Sequence, residues 1–251
     1  MPALTGALHV HSAYSHDGRD SLADLRAFAV RHHLSFLAMT DHAEDFDQAR
    51  FDAFRAECAA QSDAQVVLIP GLEFRFPGFP GLHLLALGMR EWMSPGTPAE
   101  FLADARRAAG FTIVAHPILP NYQVPADVTA HIDAIEIWNA SYNTRYLPDP
   151  RAIALFQRLR TRRPELRATV GLDQHDARNF RETCIEMTAE AARDPIAALR
   201  SGDYRNVGRW VRLEATPMLG PGSLAMLHVA RGCLDVVERA QERIGWWLKR
   251  R

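Results

Sequence analysis

The segment Leu8-His9-Val10-His11-Ser12-Ala13-Tyr14-Ser15-His16-Asp17-Gly18 sets two histidines around one apolar residue near the start of the chain. Side chains at i and i+2 of a β-strand share a face, so a strand through residues 7–10 brings His9 and His11 to one point. That is a metal-ligand geometry. Imidazole suits zinc, iron, nickel and copper alike, so the pair does not select the ion. In isolation the pair is better read as two surface histidines on an exposed strand, and it is the partners supplied downstream that favour the metal-ligand reading.

With 251 residues, 47% of them hydrophobic, the chain can build one sizeable core, and a single α/β barrel commonly has this length. The formal net charge of −1 gives no basic field for a long polyanion, which argues against extended nucleic acid as a partner. Lys249 is the only lysine, so a Walker-type phosphate loop is excluded. Cys58, Cys184 and Cys233 form no Cys-x-x-Cys pair, which argues against a disulfide framework and a thiolate zinc site. The first residues lack a basic region followed by an apolar one, and no window reaches the ~20 apolar residues of a membrane span. The expectation is a cytoplasmic protein without a membrane span.

Outward from the opening strand, Ser21 caps a helix with Leu22, Leu25, Ala29 and Val30 on one stripe. A strand over 35–39 ends in Thr40-Asp41-His42, a helix over 47–58 leads to a strand over 65–69, and Pro70-Gly71-Leu72-Glu73-Phe74 follows as an extended segment. After the turn Pro77-Gly78-Phe79-Pro80-Gly81, a strand over 83–88 begins at His83. Thr97 and Pro98 start a helix that stops at Gly110, and a strand over 111–115 delivers His116. A strand over 134–138 ends at Asn139, and a helix over 150–162 feeds a strand over 167–170 that ends in Gly171-Leu172-Asp173-Gln174-His175. A strand over 183–187, a helix from Asp194 and a strand over 210–214 complete the series.

Alternating strands and helices predict a parallel sheet. His42, His116, Asn139 and Asp173 all stand at the C-terminal ends of strands, the catalytic face of a (β/α) barrel. From 223 to 248, Leu227, Ala230, Leu234, Val237, Ala240, Ile244 and Trp247 recur at helical spacing opposite charged residues, which predicts a long amphipathic helix covering the barrel. The expectation is one domain over 1–251, with the barrel over about 1–218 and the helix over about 222–249.

The candidates for metal binding are His9, His11, Asp17, His42, Glu73, His83, His116, Asp173 and His175. They exceed the ligands one ion uses, so the pattern predicts a multinuclear site.

With these motifs assembled, the sequence resembles the PHP (polymerase and histidinol phosphatase) family of metal-dependent phosphoesterases. The family's His-x-His-Ser and Ser-Asp-Gly are matched by His9-Val10-His11-Ser12 and by Asp17-Gly18, with His16 interposed after Ser15. Its Thr-Asp-His, Pro-Gly-x-Glu, Ala-His-Pro and Asp-x-His are matched by Thr40-Asp41-His42, Pro70-Gly71-Leu72-Glu73, Ala115-His116-Pro117 and Asp173-Gln174-His175. His83 corresponds to a His-x-Leu strand, and Ile135-Glu136-Ile137-Trp138-Asn139 to an Ile-Glu-x-x-Asn strand. The chain departs from the family at Ala7, where Asp is frequent, and at Leu172 and Gln174, where Ser and Ala are usual.

The resemblance implies a distorted, TIM-like (β/α)7 barrel holding three divalent ions, zinc, manganese or iron. It implies that His9, His11, Glu73 and Asp173 hold the first ion, that Glu73 bridges to a second held by His83 and His116, and that Asp17, His42 and His175 hold the third. Glu73 and Asp173 would serve catalysis through a metal-bound hydroxide attacking a small phosphomonoester or phosphodiester. Charge counting agrees: three dications outweigh the carboxylates Asp17, Glu73 and Asp173, and a phosphate dianion offsets the surplus better than a neutral amide does. Asp41 is read as orienting a ligating imidazole or, equally, as a helix cap. Arg75, Arg145 and Arg178 follow site strands and are candidates to grip phosphate, Arg178 first. His16, His32, His33, His131 and His228 are read as structural or exposed, with His16 close enough to the site to matter. The competing readings are an amidohydrolase-type metal hydrolase, which leaves Glu73, His83 and His175 without a role, and a catalytically silent module that binds a partner.

Overall fold

The computed structural model describes residues 3–94 and 96–249, with side chains described through Leu234 and at Val236. In chain order the elements are β1 (Ala3–Val10), α1 (Leu22–Arg31), β2 (Leu34–Met39), β3 (Asp41–His42), α2 (Gln48–Gln61), β4 (Val67–Ile69), β5 (Gly71–Arg75) and β6 (His83–Leu87). Then come α3 (Pro98–Ala108), β7 (Phe111–Val114), α4 (Ala126–His131), β8 (Ala134–Asn139), α5 (Pro150–Arg160) and β9 (Arg167–Gly171). The last are β10 (Cys184–Thr188), α6 (Pro195–Ser201), β11 (Tyr204–Val207), β12 (Arg212–Glu214) and α7 (Pro221–Lys249).

Local chemistry fixes the helix starts. Ser21 with Asp24, and Thr97 with Glu100, form reciprocal capping boxes at α1 and α3. Asp149-Pro150 and Asp194-Pro195 pair an N-cap carboxylate with a proline that lacks an N–H to satisfy. The strands form two six-stranded sheets, ordered β12-β11-β10-β1-β2-β4 and β3-β5-β6-β7-β8-β9. Only Thr40 separates β2 from β3, and only Pro70 separates β4 from β5, so two bent strands join the sheets. At the second bend a side chain on Gly71 would meet the Met39 carbonyl oxygen at 2.6 Å and that of Ala86 at 2.4 Å, so the crossing requires glycine. At the other side, Leu172 N–H donates to Leu8 O at 2.9 Å and His11 N–H to Gln174 O at 2.9 Å, drawing the ends of β9 and β1 together.

One expectation is corrected here. The sheets are mixed rather than parallel: β6 runs antiparallel to both β5 and β7, β10 runs antiparallel to β1, and β11 and β12 extend that edge by successive antiparallel pairing. The turn through Pro77–Gly81 is too short for a crossover helix, and a connection of that length permits only an antiparallel return. A closed barrel is not detected among the described residues, whose strands separate into two ladders at the Thr40 and Pro70 bends. Helix α4 and strand β11 went unanticipated, being short and weakly patterned.

The C-terminal helix is present as expected, and its first turns pack Leu224 and Leu227 against the core while Met226, Val229 and Val236 face outward. The later stripe residues Val237, Ala240, Ile244 and Trp247 lie outside the described side chains. No described helix is long and apolar enough to cross a membrane. Arg231 anchors the helix through a 3.0 Å ion pair to Asp149, which also caps α5 and accepts the Tyr122 hydroxyl at 2.6 Å. Replacing Asp149 with Ala removes a cap and strands a mostly buried guanidinium, so stability should fall by about 3 kcal/mol in urea unfolding, with Asp149→Asn recovering part of the loss.

Candidate metal centre

All nine candidate ligands reach one pocket, and Glu73 is its hub. Its carboxylate, 1% exposed, faces His83 Nδ1 at 2.8 Å, His116 Nε2 and His42 Nδ1 at 3.1 Å, and His9 and His11 Nε2 at 3.6 Å. Asp173 lies 3.5 Å from His9 Nε2 and 3.6 Å from His11 Nε2. Asp17 Oδ2 lies 3.0 Å from His42 Nε2 and 3.3 Å from His175 Nε2. Three ligand groups result: His9 with His11 and Asp173; His9 with Glu73 and His116; and His11 with Asp17, His42 and His175. They overlap more than the anticipated partition, because His9 serves two groups and His11 reaches the third.

His9 and His11 converge for a different reason than strand alternation. His9 adopts φ of 62°, the β1–β2 register breaks between Ala7 and Val10, and His11 lies past the strand end. His116 and Asp173 also have positive φ, 23° and 50°. Such conformations cost roughly 1–3 kcal/mol per residue and persist where the surroundings over-determine them. Strain at three strand ends thus aims three candidate ligands inward.

Glu136 provides much of that determination, and sequence reading did not include it among the site residues. Its Oε1 accepts from His9 Nδ1 at 2.8 Å, and its Oε2 accepts from the His116 backbone N–H at 2.8 Å and from Asn139 Nδ2 at 3.0 Å. One buried carboxylate therefore orients a ring and a backbone turn, leaving His9 Nε2 facing Glu73 and Asp173. The available signal was an acidic residue inside the apolar strand Ile135-Glu136-Ile137. Gly171 is tied to the same group: a side chain there would meet Glu136 Oε1 at 2.0 Å and His9 Cβ at 3.1 Å.

Burial by itself raises the pKa of Glu73, yet His9 and the bonds from His116, His42 and His83 hold it well below the usual carboxylate range. For His9, burial opposes a charge, but Glu136, Asp173 and Glu73 outweigh it and keep the pKa well above the usual imidazole value. Burial takes His11 the other way, well below that value.

Asp41 caps no helix and reaches an imidazole through a serine: it accepts from the backbone N–H and hydroxyl of both Ser12 and Ser15, and Ser15 Oγ lies 3.4 Å from His11 Nδ1. Ser15 Oγ in turn accepts the His42 backbone N–H at 2.8 Å, so Asp41 shapes the loop that carries the ligands. Among the arginines, Arg178 is 76% exposed and held by Asp176 at 2.6 Å. Arg75 places Nη2 2.8 Å from His42 Nε2 and Nη1 3.3 Å from Glu44. Arg145 lies over the Tyr146 ring and forms no ion pair among the described residues. With Arg178, Arg181, Asn179 and Tyr146 it lines a cavity of about 640 Å³ that opens on Asp173 and His175.

The opening stretch, Glu73, His83 and His116 all fall inside one region that matches a family model. Residues 7–116 match the family model of the PHP domain. The PHP match supports a hydrolase, and the His, Asp and Glu clusters are suited to metal binding. Asp173 and His175 join the PHP region from beyond the matched residues. Among solved structures, the chain is similar to an amidohydrolase from Chromobacterium violaceum with bound SO4 and no metal, at 15% identity and a TM-score of 0.49, covering 67% of this chain and 87% of that one. No curated protein matches.

The orienting role of Glu136 is open to direct measurement. Glu136→Gln should keep the far-UV circular dichroism of the parent while zinc affinity in calorimetric titration falls ~10- to 100-fold. Unchanged affinity would remove Glu136 from the site.

Proposed function

We propose that this protein is a metal-dependent phosphoesterase acting on a small phosphomonoester or phosphodiester. The observation that carries the reading is the Glu73 carboxylate with imidazole nitrogens of five histidines around it. A buried carboxylate in such company is suited to bridge cations. The donor set fits divalent ions: His9 Nε2, His11 Nε2 and His42 Nδ1 are buried without hydrogen-bond partners and face carboxylate oxygens. In this reading His9, His11, Glu73 and Asp173 hold a first ion, Glu73, His83 and His116 a second, and Asp17, His42 and His175 a third. Such ions supply Lewis acidity and a nucleophile available at neutral pH.

The chain's own residues do the rest. Glu136 fixes His9, Asp41 fixes the Ser12–Ser15 loop, and Tyr142, whose ring centroid is 4.9 Å from that of His116, flanks the pocket. Arg145 carries the guanidinium least committed elsewhere and is assigned to a substrate phosphoryl oxygen, with Arg75 at the opposite edge. Arg178 is the weaker candidate because a substrate would have to displace Asp176. Counting Glu136 with Asp17, Glu73 and Asp173 leaves three dications in excess by about two charges, which a phosphate dianion cancels and a neutral amide does not. The cavity volume lies in the range of small-ligand sites, and the net charge of −1 offers no track for a polymer. The amidohydrolase-type and silent-module readings both leave Asp17, Glu73, His83 and His175 gathered without purpose. We take residues 1–251 as one domain built on a distorted (β/α)7 barrel, to which the remaining strands and the C-terminal helix are added.

A p-nitrophenyl phosphate, bis-phosphate, ester and amide panel tests the class, and phosphoester turnover alone is expected. Glu73→Gln should fold, lose nearly all turnover and retain fewer ions per chain by elemental mass spectrometry; full stoichiometry with parental turnover would end the bridging assignment. Arg145→Ala should raise KM by ~10- to 100-fold, the loss of a charged hydrogen bond of about 1.5–3 kcal/mol. Digestion of long DNA or RNA, with affinity falling steeply as salt rises, would overturn the small-substrate reading.

A further inference from the structure

His16 is the residue interposed between Ser15 and Asp17, and its placement is specific. Its backbone N–H and its Nδ1 both donate to Asp45 Oδ2, at 2.9 and 2.8 Å. A ring nitrogen fixed on a carboxylate, with the other left free, is the usual arrangement of a metal-ligating histidine. The free atom, Nε2, lies 4.0 Å from Asp17 Oδ2. That same oxygen faces Nε2 of His42 at 3.0 Å and Nε2 of His175 at 3.3 Å, so three imidazole Nε2 atoms lie within 4.0 Å of one carboxylate oxygen, His16 standing just outside the mutually close set of His11, Asp17, His42 and His175. The His16 ring is stacked on that of His42, with centroids 5.2 Å apart and planes 28° apart. A surface histidine serving only its own loop would not need Asp45 to hold the ring, since the loop is already tied to Asp41 through Ser12 and Ser15.

We propose that His16 is a ligand of the third ion, beside Asp17, His42 and His175, with Asp45 positioning its ring. The inference rests on the multinuclear reading and adds to it a preference among ions. With one carboxylate among several imidazoles, the third position suits zinc or iron over magnesium or manganese, which favour oxygen donors. His16, 54% exposed, closes this position from the solvent side, where the other groups are closed by buried residues.

The test is zinc titration of the full chain after chelation, by calorimetry with elemental analysis of the ions retained. The protein is compared with His16→Ala and Asp45→Asn, and cobalt absorption spectra of each report the donors at the ion. The exposed His16 side chain makes loss of fold an improbable outcome, and circular dichroism checks it. The expected result is that His16→Ala weakens the weakest zinc by at least ~10-fold, leaves the tighter ions unchanged and alters the cobalt spectrum, while Asp45→Asn produces a smaller loss at the same ion. Three ions bound with unchanged affinities in His16→Ala, or all three weakened alike, would overturn the role of His16 alone. Fewer than three ions on the unsubstituted protein would overturn the three-ion reading and this inference with it.

Discussion

A carboxylate buried beneath five imidazoles is the constraint on which the rest of this structure depends. Moving an ionised carboxylate out of water costs several kcal/mol unless partners compensate it. Glu73 obtains compensation from residues far apart in the chain: His9 and His11 near its start, His42 at the end of β3, His83 at the beginning of β6 and His116 beyond β7. No local segment can provide that arrangement. The strand ends must first be brought to one side, and the bends at Thr40 and Pro70 do this by letting two strands belong to both sheets.

The same convergence explains where the backbone is strained. Regular strands would carry His9, His116 and Asp173 past the pocket, whereas left-handed conformations at their ends turn the side chains inward. Glu136 helps hold two of these turns by taking the His9 ring and the His116 N–H on its two oxygens. Asp41 does comparable work for the first loop through four bonds from two serines. Packing energy from the surrounding apolar strands is converted in this way into fixed positions for polar atoms.

Much of the site was legible in the sequence because ligand identity is local: each histidine or carboxylate sits in a short motif at an apolar strand's end. Helix starts were legible for the same reason, as Thr97-Pro98 and Asp149-Pro150 show. Strand direction was not, since β6 and β10 differ from parallel strands only in their partners, and an apolar run such as His83–Leu87 does not encode its neighbour's orientation. Glu136 was missed because its role exists only once the fold brings the His9 ring and the His116 backbone to β8. The helix-capping alternative for Asp41 fails because its partners are the Ser12 and Ser15 groups, 29 and 26 residues away, through the second of which it reaches the His11 ring. The pairing of His9 with His11 was anticipated, but alternation cannot reveal the φ of 62° that produces it.

Gly171 couples backbone space to ring orientation. The space beside its Cα is occupied by Glu136 and His9, so no side chain can enter unless that carboxylate withdraws, and withdrawing it releases the His9 ring. Position 171 therefore has no conservative replacement: glycine, glutamate and histidine at these three positions are one steric unit, and even a methyl group at 171 is felt at the ring of a candidate ligand.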